Sequence, residues 1–230
     1  MTLVFRPAGE RFHSRLDWLD SWHSFSFSHH HDPAWMGFGP LRVINDDTIA
    51  AGRGFGLHPH RDMEIVTVMV DGQLNHHDSM GHSEILRAGE VQAMSAGTGV
   101  VHSEMNLGDT PCRLLQIWIE PDGPGHPPAY RQEPFHLQSG WTPLLDPDGR
   151  QGALAINRRV RLWRARAGAG ERLELAIATD ATGWLQVIDG QGTAFDRPVQ
   201  RGDGLGFAAT PSDSLQAGPD GADVLLFELR

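Results

Sequence analysis

Glycine and proline punctuate this chain from end to end, 27 and 15 of them in 230 residues, dispersed and never gathered into one tract. Long regular elements do not survive such spacing, since glycine loosens an element's interior and proline removes a backbone donor. Many short strands joined by turns do survive it, and the apolar segments between the breaks agree. Ile65-Val66-Thr67-Val68-Met69-Val70 is a β-branched run closed by Asp71-Gly72, a strong short-range hairpin signal. Phe25-Ser26-Phe27-Ser28 alternates as a half-buried strand does, and Leu41-Arg42-Val43-Ile44 is an apolar segment that Asn45-Asp46-Asp47 turns. Ile85 to Gln92 reads as strand, turn, strand, and Leu114 to Ile119 as a further strand. The expected class is all-β.

A chain of this length holds one large β domain or two of roughly a hundred residues each. Pro121-Asp122-Gly123-Pro124-Gly125-His126-Pro127-Pro128 is the clearest linker, which places the expected domains at 1–132 and 133–230. The second half faintly echoes the first: Trp184 to Gln191 parallels Val66 to Gln73, and Arg201-Gly202-Asp203 lies downstream as Ala88-Gly89-Glu90 does. An internal duplication is the economical reading. His136 is the last histidine, so a second copy lacks the means for a histidine site.

The net charge of −10 argues against a nucleic-acid surface, which needs clustered Lys and Arg. Cys112, the single cysteine, excludes an intramolecular disulfide and sits beside apolar residues as a small core residue does. Pro7 and Glu10 interrupt any signal-peptide core, and no apolar stretch approaches a membrane span. A cytoplasmic monomer without direct nucleic-acid or membrane contacts is expected.

Against this background Gly56-Leu57-His58-Pro59-His60-Arg61-Asp62-Met63-Glu64 stands out. Strand side chains alternate, so His58 and His60 share a face, and Pro59 suits a strand start or edge. Val100-Val101-His102-Ser103-Glu104 repeats the spacing. The two pairs offer three neutral nitrogens and a carboxylate, the donor set of a divalent first-row metal with open positions. A lone H-x-H is more often surface polarity or a satisfied core group. Two pairs, each preceded by a glycine-rich turn, make a metal site the working expectation. Glu64 shares strand parity with its histidines too, so spacing leaves either glutamate as the carboxylate. His29-His30-His31 cannot all meet one ion from an extended chain and reads as a solvated loop. His76, His77 and His82 read as exposed polar residues, one of them able to line a pocket mouth.

These residues resemble the cupin motifs. Gly52, His58, His60, Glu64 and Gly72 follow the first motif with one extra residue before the last glycine. Gly89, Gly97, His102 and Asn106 follow the second more loosely, with Ser95 where proline is usual and two extra residues before the histidine. The run from Ser21-Trp22-His23-Ser24-Phe25-Ser26-Phe27 through Met36-Gly37-Phe38-Gly39-Pro40-Leu41-Arg42-Val43-Ile44-Asn45-Asp46-Asp47 to His102-Ser103-Glu104-Met105-Asn106 is similar to the pirin family. Pirins resemble two tandem cupin barrels of jelly-roll type, the first alone carrying metal. His29-His30-His31 departs from the Asp-Tyr-type segment of relatives, outside the ligand motifs.

The resemblance implies His58, His60, His102 and Glu104 as metal ligands, with Glu64 left to orient an imidazole or to sit at a strand edge. It implies quercetinase activity: dioxygen-dependent opening of a flavonol's central ring with release of carbon monoxide. Fe(II) is the favoured ion, and the same ligands would accept Mn, Co, Ni, Cu or Zn. Glu104 is the candidate general base for the flavonol 3-hydroxyl. A rival reading is an iron-binding regulator that docks on partner proteins. A purely structural metal ranks last, because three histidines and one carboxylate leave its sphere unfilled.

Overall fold

The computed structural model describes residues 3–208 and 213–230, and within them the only helices are three-residue 3-10 turns. No described helix is long and apolar enough to cross a membrane. The strands run β1 (Val4–Arg6), β2 (Phe12–Arg15), β3 (Leu19–His23), β4 (Leu41–Ile49), β5 (Arg53–His60), β6 (Glu64–Asp71), β7 (Gln73–Asp78), β8 (Ser83–Arg87), β9 (Glu90–Ser95) and β10 (Val100–Asn106). They continue with β11 (Cys112–Ile119), β12 (Ala129–Pro134), β13 (Thr142–Leu145), β14 (Val160–Ala167), β15 (Arg172–Glu174), β16 (Thr182–Ala194), β17 (Arg197–Gln200), β18 (Gly204–Ala208) and β19 (Ser214–Leu229). The all-β expectation holds.

Two units emerge, and neither is contiguous in sequence. One joins Phe12–Phe135 to Leu154–Arg158; the other joins Met1–Arg11, His136–Ala153 and Arg159–Arg230. The proline-rich run at 121–128 leads into β12, which pairs with β9 inside the first of these units. In the other unit β1 pairs with β18, which ties the chain's start to its second half.

The first unit has a seven-stranded sheet in the order β12-β9-β6-β11-β4-β3-β2 and a four-stranded sheet in the order β5-β10-β7-β8, all antiparallel. Leu19, Ile49, Met69 and Leu114 of the larger sheet meet Leu74 and Leu86 of the smaller one in an apolar cluster. A second cluster joins Ile65, Met94 and Val100. Between these two clusters the inward face turns polar. On β6 the inward residues run Ile65, Thr67, Met69, and on β11 Trp118, Gln116, Leu114. The register links the polar ones into one rung across five strands: Gln92, Thr67, Gln116, Asn45 and His23.

Several local expectations fail, each for a physical reason. Asn45-Asp46-Asp47 is no turn but the middle of β4. Each of the three finds a side-chain partner: Asn45 bonds His23 at 2.8 Å, Arg113 grips Asp46 at 2.8 and 2.9 Å, and Asp47 accepts from Ser21. Asp71-Gly72 makes no hairpin either, because β6 pairs with β9 and β11 while β7 pairs with β8 and β10. The turn carries the chain from one sheet to the other; Gly72 has φ +73°, and a Cβ there would sit 2.8 Å from that of Cys112. Phe25 to Ser28 is no strand: the chain bends at Phe25 and enters a tight turn over 27–30, with Ser28 at φ 54° and Phe27 bridging His30.

The other unit is one eight-stranded sheet in the order β1-β18-β16-β19-β14-β13, with β15 on β19 and β17 on β16. Its apolar cluster includes Leu173, Leu185, Val187, Leu205, Phe207 and Leu226, and beside it Arg164 and Asp223 are buried as a pair at 2.9 Å.

Candidate metal centre

His58 and His60 lie on β5, the edge strand of the four-stranded sheet, where the missing donor of Pro59 is tolerated. Next to it runs β10, and its register sets His102 directly opposite His58 and Val100 opposite His60. A register shift follows between His102 and Glu104, so Glu104 stands opposite Phe55. Gly54 permits this close passage, since a Cβ there would lie 2.3 Å from the Glu104 carbonyl oxygen.

The three imidazoles converge. Ring centroids stand 4.8 Å apart for His58 and His60, 4.4 Å for His58 and His102, and 4.9 Å for His60 and His102. One ring nitrogen of each lies within 4.8 Å of the others. His58 Nδ1 donates to the Gly56 carbonyl at 2.7 Å, which leaves Nε2 as its free acceptor. Burial pushes His60 down to about 4 and His102 down to about 3, and the neighbouring histidines push the same way. Both are therefore neutral near pH 7, the form that binds metal. Both ring nitrogens of His102 are buried without any hydrogen-bond partner. An unpaired buried polar atom costs about 1–3 kcal/mol. A metal ion removes part of that cost, so the donor set fits one.

Glu104 is placed differently. Its carboxylate forms a compact group with His102 and His76, not with His58 and His60. It rests on the polar rung: Gln116 Nε2 donates to Oε2 at 2.7 Å, while Thr67 Oγ1 and Gln92 Nε2 stand 3.4 Å from Oε1. Burial pushes the carboxyl up to about 7 against the pull of these donors. Glu64 turns elsewhere: Ser95 donates to Oε2 at 2.6 Å and Asn157 to Oε1 at 3.1 Å, so neither oxygen orients an imidazole.

His58, His60 and Glu104 open onto a cavity of about 420 Å³. Trp18, Phe27, Phe55 and Trp118 give it aromatic walls, and Ser21, His23, Asn45 and Asp47 form a polar corner. Burial raises Asp47 to about 7, opposed by the hydrogen bond from Ser21, and burial lowers His23 to about 4. His29 reaches the lining, a place the solvated-loop reading of its tract missed. A larger cavity of about 570 Å³ in the other unit has Asp203 as its one titratable lining residue. That carboxylate is taken up by the backbone N–H groups of Ala8 and Gln200.

Sequence reasoning missed the rung, the polar corner and His76, which is 1% exposed and not a surface residue. Parity carried a signal for it: on β7, Leu74, His76 and Asp78 alternate inward with Gln73, Asn75 and His77. Gln116 likewise is the lone polar residue within an apolar run.

Two facing sheets over a histidine cluster, with a second β unit that holds no histidine but His136, define a two-domain cupin-type protein with a metal-type site in its first domain. The comparisons narrow the class. The Pirin family model matches residues 5–119, and the model for the quercetinase C-terminal cupin domain matches residues 144–229. The chain belongs to the pirin family. It is 44% identical over 228 residues, 99% of this chain and 98% of the relative, to a protein of Escherichia coli K12 named quercetin 2,3-dioxygenase. It is 41% identical over 178 residues, 73% of this chain and 74% of the relative, to a pirin-like protein of Caulobacter vibrioides. Among solved structures it resembles Escherichia coli YhhW, at TM-score 0.95 and 43% identity over 100% of this chain and 98% of that one. A nickel(II) complex of that bacterial pirin matches at TM-score 0.94 and 43% identity, over 99% of each chain.

Proposed function

We propose that this protein is a metal-dependent dioxygenase that opens the central ring of flavonols such as quercetin, releasing carbon monoxide. One observation carries the reading: an aromatic-walled cavity of about 420 Å³, within the range of roughly 300–1,000 Å³ that ligand pockets occupy, ends on His58, His60 and Glu104. A structural metal site is closed, whereas this one faces open space. The 44% identity to a protein named quercetin 2,3-dioxygenase supports the substrate.

In this reading His58, His60 and His102 hold the ion, and Glu104 is the fourth donor. A divalent redox metal, Fe(II) in this proposal, supplies Lewis acidity and one-electron chemistry toward dioxygen when bound. The chain does the rest. Trp18, Phe27, Phe55 and Trp118 bury the flat rings of a flavonol and exclude water from the reacting centre. The Ser21–Asp47 and His23–Asn45 pairs give its peripheral hydroxyls polar partners. Glu104, when it swings off the ion, takes the 3-hydroxyl proton at Oε1, the less firmly held oxygen, while Gln116 keeps Oε2 in place. Off the ion, burial pushes its carboxyl up to about 7, which suits a base working near neutral pH.

Glu104→Asp tests the base by shortening its reach by one methylene. Metal content should stay largely intact while quercetin turnover falls by about 10²–10⁴-fold. An unchanged rate in the metal-loaded variant removes the base role.

A further inference from the structure

Three buried nitrogens without hydrogen-bond partners gather at one place: both ring nitrogens of His102, and Nδ1 of His76. His102 is 0% exposed and His76 1%. A metal ion takes one nitrogen of His102 and leaves the other. That remaining nitrogen carries the imidazole proton and needs an acceptor.

His76 stands where such an acceptor is needed. On β7 it faces Glu104 across the ladder, and Asp78 faces His102. The rings of His76 and His102 lie 5.4 Å apart between centroids, inclined by 50°. A ring nitrogen of each lies within 4.8 Å of the other, the gap that a hydrogen bond between the rings has to close. The tautomer of His76 follows from its other side. Asp78 Oδ2 stands 2.9 Å from His76 Nε2. The same carboxylate accepts from the backbone N–H groups of Met80 and His82 at 2.8 and 3.1 Å, and from His82 Nδ1 at 2.9 Å. A carboxylate ringed by donors accepts, so His76 carries its proton on Nε2 and leaves Nδ1 bare. Tyr130, stacked on the His76 ring at 4.4 Å and 26°, fixes its plane.

We propose that His76 is a positioning residue of the metal centre: anchored by Asp78 through Nε2, it accepts at Nδ1 the N–H of His102 that points away from the metal. One ion and one hydrogen bond then satisfy all three orphaned nitrogens. The chain Asp78–His76–His102 orients the ligand ring and makes its donor nitrogen more basic. The inference rests on the metal reading and is independent of the flavonol. If His76 were itself a ligand, the second nitrogen of His102 would stay unsatisfied.

Copper(II) titrated into the metal-free full-length protein against a competing chelator tests it, with His76→Leu and His76→Gln beside wild type. Loss of such an outer partner lowers metal affinity by roughly 10–100-fold, and His76→Leu should do so at unchanged one-to-one stoichiometry. His76→Gln presents an amide oxygen to the same N–H and should bind closer to wild type than to the leucine variant. Electron spin echo modulation from the remote nitrogens of copper-bound imidazole gives a readout that packing alone does not move. It should change in His76→Leu, and less in His76→Gln, while the number of coordinated nitrogens stays constant. If the leucine variant fails to fold, His76→Ala, smaller and equally unable to accept, carries the modulation test. Unchanged modulation in the variant without an acceptor would overturn the proposal. So would the loss of one coordinated nitrogen, which would make His76 a ligand.

Discussion

Gln116→Leu strips one hydrogen bond from the Glu104 carboxylate while nearly preserving side-chain volume. The Gln116 contact, at 2.7 Å, is the shortest of the three that reach this carboxylate; the Thr67 and Gln92 contacts are both 3.4 Å. A hydrogen bond to a charged group contributes about 1.5–3 kcal/mol. At about 1.4 kcal/mol per pKa unit, its removal raises Glu104 by roughly 1–2 units above its present value. The lower end is expected, because Thr67 Oγ1 now donates to Gln116 Oε1 at 3.0 Å and is freed to turn toward Glu104. The sign follows from the role: a base works only while ionised, so raising its pKa moves the acid limb of the rate profile upward. The assay is kcat/KM for quercetin against pH at saturating metal, with thermal unfolding to confirm the fold. The acid limb should move up by about one unit, so that activity falls about tenfold below the limb and little well above it. A folded, metal-loaded variant whose acid limb does not move would falsify the assignment of that limb to Glu104.

Three further outcomes are expected. His58→Ala or His102→Ala should abolish stoichiometric metal binding in a protein that keeps its far-ultraviolet circular dichroism, and full occupancy in both would remove the site. Glu64→Gln should weaken metal binding less than Glu104→Gln, because Glu64 is engaged by Ser95 and Asn157; the reverse order in metal titrations would restore the ordinary cupin ligand set. The metal-free protein should lose stability as pH falls from about 6.5 to 4.5. Burial holds His23 and His60 at about 4 and His102 at about 3, so these three take up protons on unfolding in that window. Asp47 and Glu104, raised to about 7, release protons on unfolding there and oppose the trend. Burial lowers His76 and His30 as well, so the lowered histidines outnumber the two raised carboxyls and unfolding takes up protons on balance. A urea midpoint that rises on acidification would contradict this balance.

What could be read along one strand was legible before the structure. The two-residue spacing put His58 with His60 and His102 with Glu104, and Pro59 marked an edge strand, which β5 is. What depended on pairing between strands was not. Nothing local sets His102 opposite His58, or assembles Gln92, Thr67, Gln116, Asn45 and His23 from five strands into one rung. Asn45-Asp46-Asp47 has turn chemistry when alone, and only Arg113, Ser21 and His23, distant in sequence, make it a strand. Asp71-Gly72 gave a true turn but not its partner sheets. His76 was passed over because its exposed neighbour His77 made the segment look uniformly polar.

The most direct test follows dioxygen, carbon monoxide and quercetin together in one vessel, using protein of measured iron content and the same protein stripped of metal. The iron form should consume flavonol and dioxygen one for one and release one carbon monoxide for each, and the stripped form should do neither. Iron bound one per chain at His58, His60 and His102, with no flavonol consumed, would contradict the dioxygenase reading.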